Sequence, residues 1–287
     1  MPDPGVGPSF PPPRRSLGQN FLVDRGVQRR IVEEAGIQAG DVVLEIGPGR
    51  GAITQGLAER AGTLILVELD RDLARALRAR YAGDEHVRVL QEDILKVRLE
   101  ELTPEPEALK VVGNIPYNLT TPIIFHLLAS PRPAEILLMV QKEVAERIAS
   151  EPGSGVYGAL SVGVQAVAKV EPVLSVSPGA FRPRPRVDSA VIRIRPLSPS
   201  PLTGGQEIWL RTLTRAVFQW RRKQLRKILR DHPDLDLDPE RVEELLEAAS
   251  AHPTDRPETV SPEGFRAMAQ KLAASRGEKA PDLEDGR

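Results

Sequence analysis

The sequence predicts an α/β fold, with a mostly parallel, doubly wound sheet that ends in a closing antiparallel strand pair, and a smaller all-helical domain after it. Between residues 41 and 195, short aliphatic runs alternate with helix-like segments, a pattern typical of βαβ units. Residues 196–206 are rich in Pro, Ser and Gly and indicate a linker. The residues that follow have apolar side chains at helical spacing and include no candidate strand.

The individual elements follow from the same patterns. Five aliphatic runs are candidate strands, at 42–46, 63–68, 87–91, 110–114 and 135–141. A helix is expected near 157–166, and the Val- and Ile-rich stretches 167–176 and 187–195 are the expected closing pair. The predicted domains are then 16–196 and 207–274, with flexible tails at 1–15 and 275–287.

Composition excludes several classes of protein. Hydrophobic residues at 40% and charged residues at 28% are ordinary for a folded domain, so a wholly disordered or fibrous chain is excluded. The absence of cysteine excludes a disulfide framework, a thiolate zinc site and a cysteine nucleophile, and it agrees with a cytoplasmic location. No stretch predicts a secretory signal or a membrane span, and the four histidines have no metal-ligand spacing. We therefore expect no membrane partner and no metal.

The net charge of −1 hides a strong asymmetry along the chain. Residues 1–180 carry a net charge of −4, residues 181–230 carry +11, and residues 231–287 carry −8. Because salt screens charges beyond about 10 Å, the central block creates a local field that attracts phosphates even on a nearly neutral protein. A solvated basic face without a ligand is the alternative interpretation.

A glycine-rich loop follows the first predicted strand of the sheet. In the segment Glu45-Ile46-Gly47-Pro48-Gly49-Arg50-Gly51-Ala52, the residues Gly47, Gly49 and Ala52 satisfy the GxGxxG/A fingerprint of dinucleotide sites. Glu68 ends the next strand, about twenty residues on, where a carboxylate can bind ribose hydroxyls. A tight turn between strand and helix, with no ligand, would show the same glycines.

Two carboxylates favour S-adenosylmethionine over a dinucleotide as the ligand of this loop. Glu45 places an anion near the position of a dinucleotide's pyrophosphate, and a cationic methionine amino group fits that position better. Asp93 comes just after the third strand, where it can accept a hydrogen bond from an adenine amino group. The expected cofactor is therefore S-adenosylmethionine.

The segment Asn114-Ile115-Pro116-Tyr117 stands at the carboxyl end of the fourth predicted strand, where open α/β sheets bind ligands. An exocyclic amine of a nucleobase is a poor nucleophile, because its lone pair is delocalised into the ring. The Asn114 side-chain oxygen and the Ile115 carbonyl can accept its two hydrogens, while Pro116 fixes the backbone and Tyr117 offers a stacking face. A strand ending in an ordinary Asn-capped turn is the alternative.

With these segments the chain resembles the small-subunit ribosomal RNA adenine dimethyltransferases over nearly its whole length. The resemblance rests on the Gly loop, on Asp93 and on these segments: Leu17 to Leu22, Glu68 to Asp70, Asn114 to Asn118, Gln141 to Val144, Phe181 to Ala190 and Phe218 to Lys223. Arg184 departs from the family, in which a proline or small residue is common at that position. The departure adds charge near the site and leaves the catalytic residues unaffected.

The resemblance implies a Rossmann-like class I methyltransferase domain and an enzyme of small-subunit biogenesis. Its reaction would transfer two methyl groups to N6 of each of two adjacent adenines in a hairpin loop near the 3′ end of 16S rRNA. It also implies that Asn20, Leu22, Gly47, Glu68, Asp93 and Asn114 contact the cofactor, and that the segment from Asn114 to Tyr117 holds the target base. Glu45 and Gly49 are further candidate cofactor residues, because of their positions in the Gly loop segment. We expect a monomer.

Two further segments are candidates for RNA contacts. Phe181 precedes a loop with Arg182, Arg184 and Arg186 alternating with prolines, which suits phosphates; Phe181 itself is a candidate to stack on the target base, with core packing as its alternative. Arg221, Arg222 and Lys223 begin a series of cations predicted to share a helix whose apolar residues Leu225, Ile228 and Leu229 face inward. Pairing of these cations with the acidic stretch 231–250 is the alternative.

Two rival functions remain open at the level of sequence. A 23S rRNA adenine methyltransferase of the macrolide-resistance type shares the Gly loop and the Asn-Ile-Pro-Tyr segment. The segments at 141–143 and 221–223 resemble the small-subunit group instead. A non-catalytic binding protein, like the mitochondrial transcription factors of the same fold, is a second rival, and the intact cofactor and Asn114-to-Tyr117 residues argue against it.

Overall fold

The computed structural model describes residues 10–14, 17–235 and 237–276. By their contacts, residues up to Ala145 and Glu171–Arg195 form one unit, while Glu146–Val170 and the residues from Pro196 onward form a second. The sequence places residues 146–170 in the first domain, whereas their contacts place them with the helical segment.

Most residues of a seven-stranded sheet belong to the first unit. Its strands are β2 (Val42–Ile46), β3 (Thr63–Glu68), β4 (Val87–Gln91), β5 (Lys110–Asn114), β6 (Glu135–Gln141), β7 (Ala168–Val176) and β9 (Ser189–Pro196), in the spatial order β4-β3-β2-β5-β6-β9-β7. Strands β2 to β6 pair in parallel and β9 runs antiparallel to β6. A separate two-stranded sheet joins β1 (Phe21–Leu22) to β8 (Phe181–Arg182). The predicted fold class is confirmed, and all five predicted strands have the predicted bounds.

The central strands are continuous runs of buried aliphatic residues, because both faces of a parallel sheet are covered. Ile136 to Val140 of β6 and Leu64 to Val67 of β3 are almost completely buried. Helices of this part of the chain are α1 (Arg25–Glu34), α2 (Thr54–Ala58), α3 (Arg71–Arg80), α4 (Leu99–Leu102), α5 (Thr120–Leu127) and α6 (Lys142–Ile148). The order of strands reverses between β2 and β5, so a crevice opens beyond their carboxyl ends.

The second unit is helical. Its helices are α7 (Ala159–Gln165), α8 (Gly204–Gln219), α9 (Leu225–Asp231), α10 (Pro239–Ala248) and α11 (Pro262–Arg276). Helix α7 coincides with the helix expected near 157–166, and the described residues after Pro196 contain no strand. The buried rings of Tyr157, Trp209 and Phe265 form much of its core, and the Tyr157 hydroxyl donates to the Val260 carbonyl at 2.9 Å.

The predicted N-terminal tail is only partly described. Residues 1–9 and 15 lie outside the described part of the chain, but Pro11 and Arg14 contact the first unit. The Arg50 guanidinium donates to the Pro11 carbonyl at 2.8 Å, and Arg14 donates to Asp72 at 2.6 Å. At the other end, residues 275 and 276 belong to α11, and residues 277–287 lie outside the described part.

Among the described helices, none has both the length and the apolar composition needed for a membrane span. The same described residues contain no group of three or more His, Cys, Asp or Glu side chains arranged to hold a metal ion.

Candidate active site

A cavity that is open to solvent lies beyond the carboxyl ends of β2 and β5. Three segments that are distant in sequence line it: residues 17–22, the Gly loop, and residues 113–119. Ten of the predicted site residues contribute to its wall: Asn20, Leu22, Glu45, Gly47, Gly49, Glu68, Asn114, Ile115, Pro116 and Tyr117. The fold therefore brings the Asn-Ile-Pro-Tyr segment and every predicted cofactor residue except Asp93 into one cavity.

The glycines of the loop are required by its backbone conformation. Gly47 and Gly49 have φ angles of +64° and +59°, in the left-handed region that side chains with a Cβ rarely adopt. A Cβ at Gly49 would also lie 3.1 Å from the ring of Phe21. The Gly47 N–H donates to the Val67 carbonyl at 2.9 Å and so ties the start of the loop to β3.

Glu68 holds the loop through its side chain. One carboxylate oxygen accepts the Gly49 N–H and the other accepts the Asp70 N–H, each at 2.9 Å. Burial raises the pKa of Glu68, and these backbone hydrogen bonds act in the opposite direction. A carboxylate offers about four acceptor sites in all, so Glu68 retains acceptor capacity for ligand hydroxyls.

Glu45 is the most deeply buried carboxyl group of the cavity, at 1% exposure. Burial raises its pKa to about 8; the neighbouring Thr54 hydroxyl lowers the pKa, and the Glu68 charge raises it further. Its Oε2 atom makes no hydrogen bond within the described part of the chain. A buried, unpaired carboxyl oxygen fits a cationic ammonium group, which would supply the missing partner.

The Asn114 side chain has a defined orientation. Its amide nitrogen donates to the Asn20 carbonyl at 3.2 Å, so this contact uses the donor end of the amide and leaves Oδ1 as an acceptor. Tyr117 lies in a short 3₁₀ turn, Tyr117–Leu119, and its hydroxyl is 2.6 Å from the Ser189 hydroxyl. Burial raises the pKa of Tyr117, and the hydrogen bond with Ser189 lowers it.

Sequence reasoning missed several residues that shape the cavity. Asp70 caps α3 by accepting the N–H of Asp72, and its other oxygen accepts from Gln19 at 3.2 Å. The Arg50 guanidinium lies 4.5 Å from the centre of the Phe21 ring. These contacts hold residues 17–22 against the cavity. Gln19, Phe21 and Asp70 belong to segments that carry the family resemblance, but no role is predicted for them individually. A strand end followed by an Asp N-cap is the signal that identifies Asp70.

Asp93 lies outside the lining of the cavity and stabilises a backbone turn. It caps the 3₁₀ turn Ile94–Lys96 by accepting the Leu95 N–H at 3.0 Å, and it is not among the residues that line the cavity. Its contact with an adenine amino group stays a prediction.

Phe181 lies in the core of the first unit. Its side chain is 0% exposed, and it packs in the core cluster with Leu22, Val176 and Ala180. Pairing of β1 with β8 sets Phe181 opposite Leu22, which directs the ring inward. Phe181 therefore packs in the core in this structure, as its alternative interpretation expects, and its stacking on a base stays a prediction.

The Arg-Pro loop after Phe181 is exposed. Arg182 donates to the carbonyls of Gly179 and Phe181, at 3.3 and 2.8 Å, so its guanidinium is partly engaged with its own loop. Arg184 and Arg186 are exposed to solvent. Their contact with RNA phosphates stays a prediction.

The predicted basic helix is corrected. Helix α8 ends at Gln219 and α9 begins at Leu225, so Arg221, Arg222 and Lys223 lie in the turn between two helices. Arg221 donates to the Gly155 carbonyl at 2.9 Å. Arg222 and Lys223 are exposed. The inward-facing residues of α9 are as predicted: Leu225, Ile228 and Leu229 are fully buried.

The remaining cations of this series pair with acidic side chains. Arg226 contacts Glu243 at 2.8 Å, and Lys227 and Arg230 contact Asp231 at 3.0 and 2.6 Å. The alternative of pairing with the acidic stretch 231–250 is confirmed for these three residues.

This fold and cavity define a class I methyltransferase. The family model described as "Ribosomal RNA adenine dimethylase" matches residues 12–238. The chain therefore belongs to the ribosomal RNA adenine dimethylase family.

Relatives and solved structures agree with this membership. The chain is 41% identical over 267 residues to "Ribosomal RNA small subunit methyltransferase A" of Pseudomonas aeruginosa, covering 93% of this chain and 97% of the relative. The relative of the same name from Moorella thermoacetica is 42% identical over 269 residues, covering 91% and 92%. A dimethyladenosine transferase from Plasmodium falciparum has a TM-score of 0.76 at 25% identity, covering 89% and 98%. The 23S rRNA methyltransferase ErmE has a TM-score of 0.67 at 30% identity, covering 88% and 99%.

Proposed function

We propose that the protein uses S-adenosylmethionine to dimethylate N6 of two adjacent adenines in a hairpin loop near the 3′ end of 16S rRNA. The names of the relatives support the choice of small-subunit rRNA. The observation that carries the proposal is the oriented Asn114 amide, whose acceptor oxygen shares one cavity with Glu45 and the Gly loop.

The cofactor residues divide the recognition of S-adenosylmethionine among them. Bound S-adenosylmethionine supplies an electrophilic methyl group on a sulfonium. Glu45 offers its unpaired Oε2 to the cationic amino group of the methionine part. Glu68 offers acceptor sites to the ribose hydroxyls while its hydrogen bond to the Gly49 N–H keeps the loop in place. Asp93 is proposed to recognise the adenine amino group, and residues Asn20 and Leu22 to cover the cofactor.

The target amine is activated by orientation. Asn114 Oδ1 and the Ile115 carbonyl accept its two hydrogens, which directs the nitrogen lone pair towards the methyl group. Removal of a proton before attack is unnecessary, because the proton can leave once the methyl group is transferred. Correct placement of two reactants supplies up to about 7–11 kcal/mol of a barrier. The Tyr117 ring gives the base a stacking face, which contributes about 1–3 kcal/mol.

Exposed cations are proposed to bind the RNA backbone. Arg184 and Arg186 lie in the Arg-Pro loop with Arg182, and Arg222 and Lys223 lie in the turn after α8. Shape and phosphate recognition is the usual way in which proteins hold folded RNA. The proposed partner is the small ribosomal subunit or its precursor. The protein would bind it as a monomer in the cytoplasm during subunit biogenesis.

The second candidate is methylation of 23S rRNA, which the likeness to ErmE favours. Incubation of both ribosomal subunits with isotopically labelled S-adenosylmethionine, followed by mass analysis of each rRNA, separates the two functions. We expect N6,N6-dimethyladenine at two adjacent positions near the 3′ end of 16S rRNA. Label confined to 23S rRNA would overturn the proposal in favour of the second candidate.

A further inference from the structure

The hydrogen bond between Tyr117 and Ser189 has no part in the function described so far. The two hydroxyl oxygens are 2.6 Å apart, although the residues are 72 positions apart in sequence. Tyr117 lines the cavity, whereas Ser189 does not. The contact therefore connects the wall of the active site to a residue behind it.

Ser189 is held by the sheet. It is the first residue of β9, where it pairs with Gln141 at the end of β6, and its side chain is 0% exposed. The preceding Asp188 carbonyl accepts the Lys142 N–H at 3.0 Å and fixes the backbone on the other side. The Ser189 hydroxyl is thus a fixed point on a strand of the central sheet.

Tyr117 is held less firmly by its own backbone. It begins a three-residue 3₁₀ turn directly after Pro116, and the backbone of this turn does not by itself choose among the side-chain rotamers of the tyrosine. The phenol oxygen lies at the far end of the ring, so a hydrogen bond there restrains both side-chain torsions and the plane of the ring. The same side chain contributes to the wall of the cavity.

We infer that Ser189 is a positioning residue for methyl transfer: its hydroxyl fixes the plane of the Tyr117 ring against which the target adenine stacks. The inference rests on the proposed function and deepens it. The plane of the base decides whether the amine hydrogens meet Asn114 Oδ1 and the Ile115 carbonyl, so a pivoting ring misdirects the lone pair. The second methylation is more sensitive, because the methylated amine must rotate and be presented again.

The test compares Ser189→Ala, Tyr117→Phe and the double variant of the full-length protein, using small ribosomal subunits that lack the dimethylation. At saturating cofactor and subunit, we expect each single variant to slow the single-turnover rate about 3- to 10-fold, the effect of one hydrogen bond. The double variant should be no slower than the slower single variant. The fraction of singly methylated adenine in the product should rise, and cofactor affinity should stay within twofold of the wild type.

Ser161→Ala is the matched control, because Ser161 is also fully buried and donates to a backbone carbonyl, that of Arg147, at 2.6 Å. It should lower thermal stability without raising the fraction of singly methylated adenine. The inference would be overturned if either single variant reacted at the wild-type rate. It would also be overturned if the rate reduction of the double variant equalled the product of the two single reductions. If Ser189→Ala does not fold, Tyr117→Phe decides alone by the same rate and product ratio. A wild-type protein that leaves 16S rRNA unmethylated would instead refute the proposed function.

Discussion

Glu68 Oε2 accepts the backbone N–H of Gly49 at 2.9 Å, and this hydrogen bond joins the end of β3 to the Gly loop that follows β2. The other oxygen of Glu68 accepts the Asp70 N–H, next to the start of α3. Glu68 therefore fixes the shape of the loop in addition to offering acceptors to a ribose. The two tasks depend on the same carboxylate, so substitution at this position should affect both.

Glu68→Gln is expected to weaken S-adenosylmethionine binding strongly. Glutamine keeps one acceptor oxygen but places an NH₂ group against one of the two backbone N–H donors. Loss of hydrogen bonds to a charged acceptor costs about 1.5–3 kcal/mol, which corresponds to about 10- to 150-fold in affinity. Isothermal titration calorimetry measures the effect, with affinity for the small subunit as the control. Unchanged cofactor affinity would show that Glu68 does not contact the ligand and does not hold the loop.

The pH dependence of stability should report the buried Glu45. Its pKa is about 8 in the folded protein, whereas a glutamate side chain in water has a pKa near 4.5. Between these values the folded protein keeps a proton that the unfolded chain has released, so this group lowers stability as the pH rises from about 4.5 to 8. Glu45→Gln removes the titration. The melting temperature of the Glu45→Gln protein, measured without cofactor, should therefore increase relative to that of the wild type as the pH rises through this window.

The exposed Glu33→Gln is the matched control for this experiment, because the same substitution is made on the solvent side of α1. A Glu45→Gln protein whose melting temperature runs parallel to that of the wild type from about pH 4.5 to 8 would contradict a raised pKa for Glu45.

Arg222→Ala combined with Lys223→Ala should reduce both the affinity for the small subunit and its salt dependence. Each lost phosphate contact is expected to flatten the log-log salt slope by about 0.7–0.9. Arg226→Ala with Arg230→Ala is the matched control, since those cations pair with Glu243 and Asp231. Filter binding across a salt series measures both slopes. Equal flattening by the two double variants would argue against a special role for the turn after α8.

The strands were predictable from sequence because a parallel sheet buries consecutive aliphatic residues, which are visible as unbroken runs. The ligand-binding end of the sheet was predictable for a related reason. The Gly loop follows β2 and Asn114 ends β5, so the carboxyl ends of these two strands place them together.

Contacts between distant segments could not be predicted in this way. Burial of Phe181 depends on a two-residue strand, β8, that has no periodicity of its own. The break between α8 and α9 contains no proline or glycine, and tertiary contacts stabilise it: the Leu225 N–H donates to the Asp255 carbonyl at 2.7 Å, and His232 bonds Gln219 at 3.1 Å. The partner of Tyr117 was likewise hidden, because the register of β6 with β9 places Ser189 beside it.

Asn114→Ala is expected to abolish most methyl transfer while the RNA still binds and cofactor affinity falls only partly. The Asn114 amide is already oriented by its donation to the Asn20 carbonyl, so its oxygen can meet the amine without further rearrangement. Removal of one such preorganised group slows active-site chemistry by about 100- to 1000-fold. Asn114→Asp keeps an acceptor but loses the donation to Asn20, so it should fall between the wild type and Asn114→Ala. Single-turnover assays at saturating cofactor measure the series. An Asn114→Ala protein that turns over at nearly the wild-type rate, or that fails only because it no longer binds cofactor, would rule out the orienting role.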